Sequence, residues 1–100
     1  MKHGISEHNW KLISDVFASF PEIEEALLYG SRAKGNNKNG SDIDMVLKGS
    51  KLNGIIINSV SIALDKLILP YTFDLIVFHQ INNKDLIGHI NRVGVVIFKK

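Results

Sequence analysis

The chain has 100 residues, enough for one domain with a modest core, and 45% hydrophobic and 22% charged residues are typical of a globular protein. Twelve basic and ten acidic residues give a net charge of +2, too small to indicate long nucleic acid as a partner. The absence of cysteine excludes disulfides, zinc–thiolate sites and cysteine nucleophiles. Because no apolar run suits a membrane span or a signal peptide, we expect a soluble, cytoplasmic protein with a single domain over residues 1–100.

Hydrophobic spacing and turn residues predict alternating helices and strands. In chain order they predict a helix from Ser6 to Phe20 that ends at Pro21, a buried strand Ala26–Tyr29, a loop 31–41 that can start with one helical turn, a strand 42–47, a helix Leu52–Leu69, a strand Phe73–Phe78 buried on both faces, a helix Asn83–Arg92 and, over Val93–Phe98, a last short strand or extended tail. This order favours an α/β protein in which helices pack on one sheet.

Two carboxylates, Asp42 and Asp44, stand two residues apart on a predicted strand. A period of two places both side chains on the same face, where they repel each other unless a cation lies between them. Mg²⁺ binds carboxylate and phosphate oxygens and is therefore the natural candidate. The alternative is a solvated strand edge with two outward polar positions.

A third carboxylate, Asp74, interrupts an apolar strand. A carboxylate inside a buried strand is costly unless it is paired or binds a metal. Pairing with a nearby Lys or Arg, or a position on an exposed face, remains open as an alternative.

The segment Gly30-Ser31 directly follows the first predicted strand. A glycine there lets the backbone approach a phosphate, and the Ser31 hydroxyl adds a donor. Arg32, Lys34 and Lys38 supply positive charge, although a flexible basic loop would have the same composition. A P-loop is disfavoured, because Asn36 and Asn37 stand where that motif requires Lys and then Ser or Thr.

Taken together, these features place a phosphate-binding turn at the end of one strand and carboxylates on two later strands, and if the three strands are neighbours all three acids can face one point near the turn. Two divalent ions roughly 3.5–4 Å apart could bind there and clamp an in-line displacement at phosphorus. The third carboxylate would complete the coordination and help to deprotonate the attacking hydroxyl. Such chemistry depends mainly on positioning and charge neutralisation, so little else is needed.

The spacing of these residues resembles a known signature. Gly30-Ser31, ten intervening residues and then Asp42-Ile43-Asp44 resemble the DNA polymerase β nucleotidyltransferase superfamily, and more closely its minimal bacterial and archaeal members. Phe73-Asp74-Leu75 resembles the strand with the third acid, and the tail 87–98 also resembles the C-terminus of these small proteins. The three asparagines in the intervening loop are a departure from the pattern, but they lie outside the five matching positions.

The resemblance implies a mixed β-sheet flanked by helices, two Mg²⁺ ions and transfer of a nucleoside monophosphate, usually AMP from ATP. It implies that Gly30, Ser31, Arg32 and Lys34 bind the nucleotide. It further implies that Asp42, Asp44 and Asp74 are the catalytic metal ligands, with Asp74 as the base. Minimal members work with an all-helical HEPN-type partner, so the chain is expected to be the antitoxin of a toxin–antitoxin pair that transfers AMP to its partner.

Two other functions stay open. The chain could neutralise a partner by contact alone, or bind nucleic acid through its basic loop, which is disfavoured because no aromatic residues are interleaved with the basic ones. A homo-oligomer is possible, and the tail Val93–Phe98 could be an edge strand that a partner covers. The histidines have no metal-site spacing, so His79 and His89 are interpreted as surface or interface residues without a role in the site.

Overall fold

The protein, a computed structural model, is described over residues 2–38 and 40–100. One four-stranded sheet has helices on both faces, in the strand order β3-β2-β1-β4. In chain order the elements are α1 Glu7–Ala18, β1 Glu25–Tyr29, α2 Gly30–Lys34, β2 Ile43–Lys48, α3 Gly54–Asp65, β3 Phe73–Val77 (followed by a 3₁₀ turn, Phe78–Gln80), α4 Lys84–Val93 and β4 Val95–Lys99.

The sheet is mixed. β1 pairs antiparallel with both β2 and β4, whereas β2 and β3 run parallel and are joined by the crossover helix α3. A parallel pair requires such a crossover, since a tight turn can join only antiparallel strands. The predicted α/β architecture with a mixed, helix-flanked sheet is therefore confirmed.

Helix α1 forms where the sequence predicts it. The Ser6 side chain accepts a hydrogen bond from the Asn9 amide at 3.1 Å and caps the first turn. The buried face carries Trp10, Ile13 and Phe17 at helical spacing. The helix ends at Ala18, shortly before Pro21, which lacks the amide hydrogen needed to continue it.

Helix α3 is shorter than the predicted helix Leu52–Leu69. It begins at Gly54, after the Asn53 side chain accepts from the Ile56 amide at 3.0 Å, and it ends at Asp65. Ile68 has a φ of 53°, a left-handed conformation that turns the chain away from the helix axis. The apolar residues beyond Asp65 pack on the core from an irregular segment, so their hydrophobicity reflects burial and not helix.

The two faces of the sheet are covered by different helices and to different extents. The main core lies on the face packed by α1 and α3, with Leu28, Ile43, Met45 and Leu47 fully buried. The other face carries a smaller cluster under α4, built from Leu27, Tyr29, Val46 and Ile90. Because side chains alternate along a strand, Asp44 and Asp74 belong to this second, less covered face.

Strand β3 differs from its prediction. It was expected to be buried on both faces, yet it is an outer strand in which only Val77 is buried and Asp74 is exposed. Its apolar residues pack on the main core or under α4, while the end that bears Asp74 is open to water. The exposed-face alternative therefore applies to Asp74, which carries no burial cost.

Within the two described stretches, 2–38 and 40–100, no helix has both the length and the apolar character required to cross a bilayer.

Candidate functional site

The turn after β1 is built around Gly30. Its φ is 75°, and a Cβ atom placed there would lie 2.5 Å from Oδ2 of Asp44. Any side chain would therefore strain the backbone and displace the carboxylate. The sequence can bring the turn against Asp44 only because residue 30 is glycine.

The carboxylates lie in a row across the sheet. Tyr29 pairs with Asp44 between β1 and β2, and Asp44 pairs in turn with Asp74 between β2 and β3. Residues in register on neighbouring strands point to the same face. Asp42 immediately precedes β2, two residues before Asp44. The row thus places the acids of two strands next to the Gly30 turn.

These acids repel one another. Partial burial raises the pKa of Asp44 above its ordinary value, and the charges of Asp74 and then Asp42 raise it further, while Arg32 opposes them. No ion pair to any of the three carboxylates is present in residues 2–38 and 40–100, where Lys11 and Asp15 form the one salt bridge. A cation between the acids would relieve this repulsion.

The donor chemistry suits a hard divalent cation, because it consists of carboxylate oxygens on a water-accessible face. Among the described residues, however, no three carboxylate or imidazole side chains converge into a ready-made metal centre. Without a bound ion, the predicted acids are neighbours that do not converge on one point. Their side chains must change rotamer to share an ion.

Arg32 is placed differently from its sequence prediction as a nucleotide ligand. Its side chain is 2% exposed, and its Nε and Nη2 atoms donate to the Ser41 carbonyl at 3.2 and 2.7 Å. Nε also donates to the Asp42 carbonyl, and Nη1 donates to the His3 carbonyl at 2.9 Å. The guanidinium further lies over the Tyr71 ring, 5.1 Å from its centroid. Arg32 thus anchors the backbone of the acid-bearing segment.

The other two predicted ligands that have side chains, Ser31 and Lys34, are accessible to a solute. Ser31 is half-buried and Lys34 is exposed, both in the five-residue helix α2. Gly35 ends that helix in the left-handed conformation, with a φ of 81°. Helix α2 is too short for a large dipole, so its contribution to anion binding rests on individual amides and side chains.

Two residues near the site were missed by the sequence analysis. The Gly30 amide donates to Nε2 of His89 at 3.3 Å, and the His89 ring meets the Tyr29 ring edge-on, with centroids 6.3 Å apart. The helical spacing of Leu86, His89, Ile90 and Val93, of which Ile90 is buried and the others half-buried, could have indicated an inward position for His89. No such pattern points to a partner 59 residues earlier in the chain.

Tyr29 is the second missed residue. Its ring is 9% exposed, and burial, followed by the charges of Asp74 and Asp44, raises the pKa of its hydroxyl to about 12. The phenol therefore stays protonated at neutral pH beside the carboxylate row. Only the strand register places it there, because sequence adjacency to Gly30 does not fix which face it occupies.

A model of the family described as "Polymerase beta, Nucleotidyltransferase" matches residues 11–100. The chain belongs to the polymerase β nucleotidyltransferase family. The match covers the predicted signature from Gly30 to Asp44 and the strand with Asp74. The recognition made from those residues is therefore confirmed.

Solved structures similar to this nucleotidyltransferase domain include toxin–antitoxin complexes. A crystal structure of a toxin–antitoxin with AMP-PNP superposes with a TM-score of 0.76 at 19% identity, covering 92% of this chain and 74% of that chain. A complex of tri-AMPylated Shewanella oneidensis HEPN toxin with MNT antitoxin gives 0.71 at 16% identity, covering 96% and 74%. At these low identities, the superpositions show a common fold and nothing further. No curated protein matches the chain.

Two surface grooves of this nucleotidyltransferase domain lie away from the predicted carboxylates. One surface groove of about 650 Å³ lies between α1 and β4, and another of about 490 Å³ lies between β3 and the start of α4. The predicted carboxylates line neither groove.

Proposed function

We propose that this domain is a Mg²⁺-dependent nucleotidyltransferase that transfers AMP from ATP to an acceptor hydroxyl on a HEPN-type partner, as the antitoxin of a toxin–antitoxin pair. The observation that carries the proposal is the register of Asp44 with Asp74 directly beside the Gly30 turn. A triphosphate on the turn would lie next to both carboxylates. Such an enzyme would draw on cytoplasmic ATP.

The chain's own residues have separate roles in this reaction. The amides of Gly30 and Ser31, the Ser31 hydroxyl and the Lys34 ammonium group bind triphosphate oxygens. Asp42, Asp44 and Asp74 hold Mg²⁺, which when bound neutralises the charge on the phosphates. Arg32 keeps the segment that carries Asp42 in place through the carbonyls it binds.

The transfer step is a displacement at the α-phosphorus. The acceptor oxygen forms a bond to that phosphorus while the bond to the β-phosphate oxygen breaks, and pyrophosphate leaves. Asp74 takes the proton of the acceptor hydroxyl, for which its exposed position on an outer strand is suited. The exposed position of Asp74 supports an acceptor carried by another protein, as do the similar toxin–antitoxin complexes.

Calorimetric titration of ATP into the protein, with and without Mg²⁺, tests the triphosphate site. We expect Mg²⁺-dependent binding that the Asp42→Asn/Asp44→Asn double variant loses and that Asp65→Asn, at an exposed carboxylate on α3, retains. Binding of equal strength in the double variant would refute the assigned metal ligands. No binding to the native protein, alone or with a co-purified partner, would refute the nucleotidyltransferase assignment.

Substitution of Gly30 by alanine tests the turn. We expect Gly30→Ala to weaken Mg²⁺–ATP binding at least tenfold, because the new Cβ displaces the Asp44 carboxylate that lies 2.5 Å from its position. The left-handed φ adds a destabilisation of about 1–2 kcal/mol. Urea unfolding and calorimetry measure the two effects separately.

Gly35→Ala is the matched control for that substitution. Gly35 has a similar φ of 81°, but a Cβ atom there would meet nothing within 4 Å. We expect a similar loss of stability with unchanged nucleotide affinity. Equal losses of affinity in both variants would show that the backbone strain, and not the approach to Asp44, controls binding.

A contact-only antitoxin is the second candidate, favoured by the lack of a converged metal centre among the described residues. A neutralisation assay with the co-expressed partner separates the two functions. Loss of neutralisation in Asp44→Asn supports transfer, whereas full neutralisation by this variant supports contact alone.

A further inference from the structure

A single directed hydrogen bond ties helix α4 to the turn after β1. The Gly30 amide donates to Nε2 of His89 at 3.3 Å, and the His89 ring is kept in place edge-on to Tyr29. On the same helix, Ile90 is buried in the cluster on that face of the sheet. The contact therefore joins a packed helix to the turn that the proposed function assigns to the triphosphate.

The direction of this bond defines the chemistry of the imidazole. A ring nitrogen accepts a hydrogen bond only through its lone pair, so Nε2 carries no proton and the proton of the neutral ring lies on Nδ1. This tautomer follows from the contact with Gly30. His89 thus presents an acceptor to the turn, as a phosphate oxygen would.

Two acceptors cannot both use one amide hydrogen well. A phosphate oxygen approaching the Gly30 amide meets the Nε2 lone pair, which repels it. We propose that His89 is a positioning residue that occupies the Gly30 amide in the nucleotide-free domain and is displaced from it by the triphosphate. The inference rests on the proposed function, since it requires a triphosphate at this turn.

Displacement of His89 has a measurable consequence for affinity. When the free protein must give up an internal contact, the apparent affinity equals the intrinsic affinity multiplied by the fraction of molecules in which the Gly30 amide is free. A hydrogen bond of ordinary net strength corresponds to roughly a three- to tenfold effect. The bond also couples the nucleotide to α4, because His89 cannot leave the turn without a change of its rotamer or of the helix position.

Three variants separate the acceptor from the bulk of the side chain. His89→Leu removes the acceptor but retains an apolar side chain against Tyr29, whereas His89→Gln retains an acceptor oxygen. Asn91→Leu, at an exposed position of the same helix, controls for general effects on α4. By calorimetry with Mg²⁺–ATP, we expect about three- to tenfold tighter binding for His89→Leu and near-native affinity for His89→Gln and Asn91→Leu.

Nitrogen NMR of the imidazole gives a readout that does not depend on the variants folding. We expect the free native protein to show the Nδ1-protonated tautomer of His89. On titration with Mg²⁺–ATP, the Gly30 amide and His89 Nε2 signals should shift at the same nucleotide concentration.

The outcomes distinguish this inference from the proposed function. Native affinity in His89→Leu, with a His89 Nε2 signal that saturating nucleotide leaves unmoved while the Gly30 amide signal shifts, would overturn the inference alone. Weaker binding in His89→Leu would assign His89 a direct contact with the nucleotide and would also overturn displacement. Absence of nucleotide binding to the native protein would refute the proposed function, and the inference with it.

Discussion

Replacement of Arg32 by methionine is expected to destabilise the protein by about 3–5 kcal/mol, because each buried carbonyl left without its donor costs about 1–3 kcal/mol. The side chain is 2% exposed and donates to the carbonyls of His3, Ser41 and Asp42. Without it, these carbonyls lose their donor and the Tyr71 ring loses its cation. Urea unfolding followed by circular dichroism measures the loss.

Arg32→Lys separates charge from geometry at this position. Lysine keeps the positive charge, but its single ammonium group cannot reach carbonyls that Arg32 binds through three different nitrogens. We therefore expect a loss of about 2–3 kcal/mol even with the charge retained. Most of the effect of Arg32→Met should thus be reproduced by the conservative variant.

Lys34→Met is the matched control, because Lys34 belongs to the same short helix but is exposed. We expect a change within about 0.5 kcal/mol. The opposite pattern, an Arg32→Met protein of native stability that has lost nucleotide affinity, would restore the sequence-based assignment of Arg32 as a nucleotide ligand.

Replacement of Asp44 by asparagine is expected to abolish nucleotidyl transfer while making the free protein slightly more stable. Loss of a direct metal ligand should reduce the rate by at least about 100-fold, since changes to groups that only support ligands already cost up to that amount. The same substitution removes repulsion from Asp74, its register partner, and from Asp42. Because Asp74 is exposed to water, we expect a gain of only about 0.5 kcal/mol.

The pH dependence of that gain has a defined sign. The pKa of Asp44 is raised in the folded protein, so its protonated form is favoured by folding. The stabilisation that comes from protonation of Asp44 in the folded protein is fully present below the pKa of the unfolded chain, about 3.9. It is lost as the pH rises through the pKa of Asp44 in the folded protein. The stability difference between Asp44→Asn and the native protein should therefore be near zero at low pH and reach its full value above the folded pKa.

A double-mutant cycle with Asp74→Asn tests the cause of the gain. If repulsion between the two carboxylates is responsible, either single variant captures it and the double variant gains less than the sum. Mg²⁺ should stabilise the native protein and leave Asp44→Asn unchanged. Strictly additive gains, or equal stabilisation by Mg²⁺ in all variants, would contradict a shared ion site.

The order of elements could be predicted because each carries a local signal. The Ser6 cap and the spacing of Trp10 and Phe17 define α1, and alternation around Met45 defines β2. The extent of α3 could not be predicted, since apolar residues beyond Asp65 are buried in irregular backbone as well as they would be in a helix. Hydrophobicity reports burial, and only the hydrogen-bonded backbone decides where a helix ends.

By itself, the sequence determined the family, the α/β fold and the Gly30-Ser31 to Asp42-x-Asp44 motif, because these depend on residue type and spacing along the chain. Only the tertiary structure decided the strand register that pairs Asp44 with Asp74, the burial of Arg32 and the contact of His89 with Gly30. Each of these joins atoms from different elements. Spacing along the chain does not specify the partners in such contacts, because sheet pairing and helix packing determine which distant residues meet.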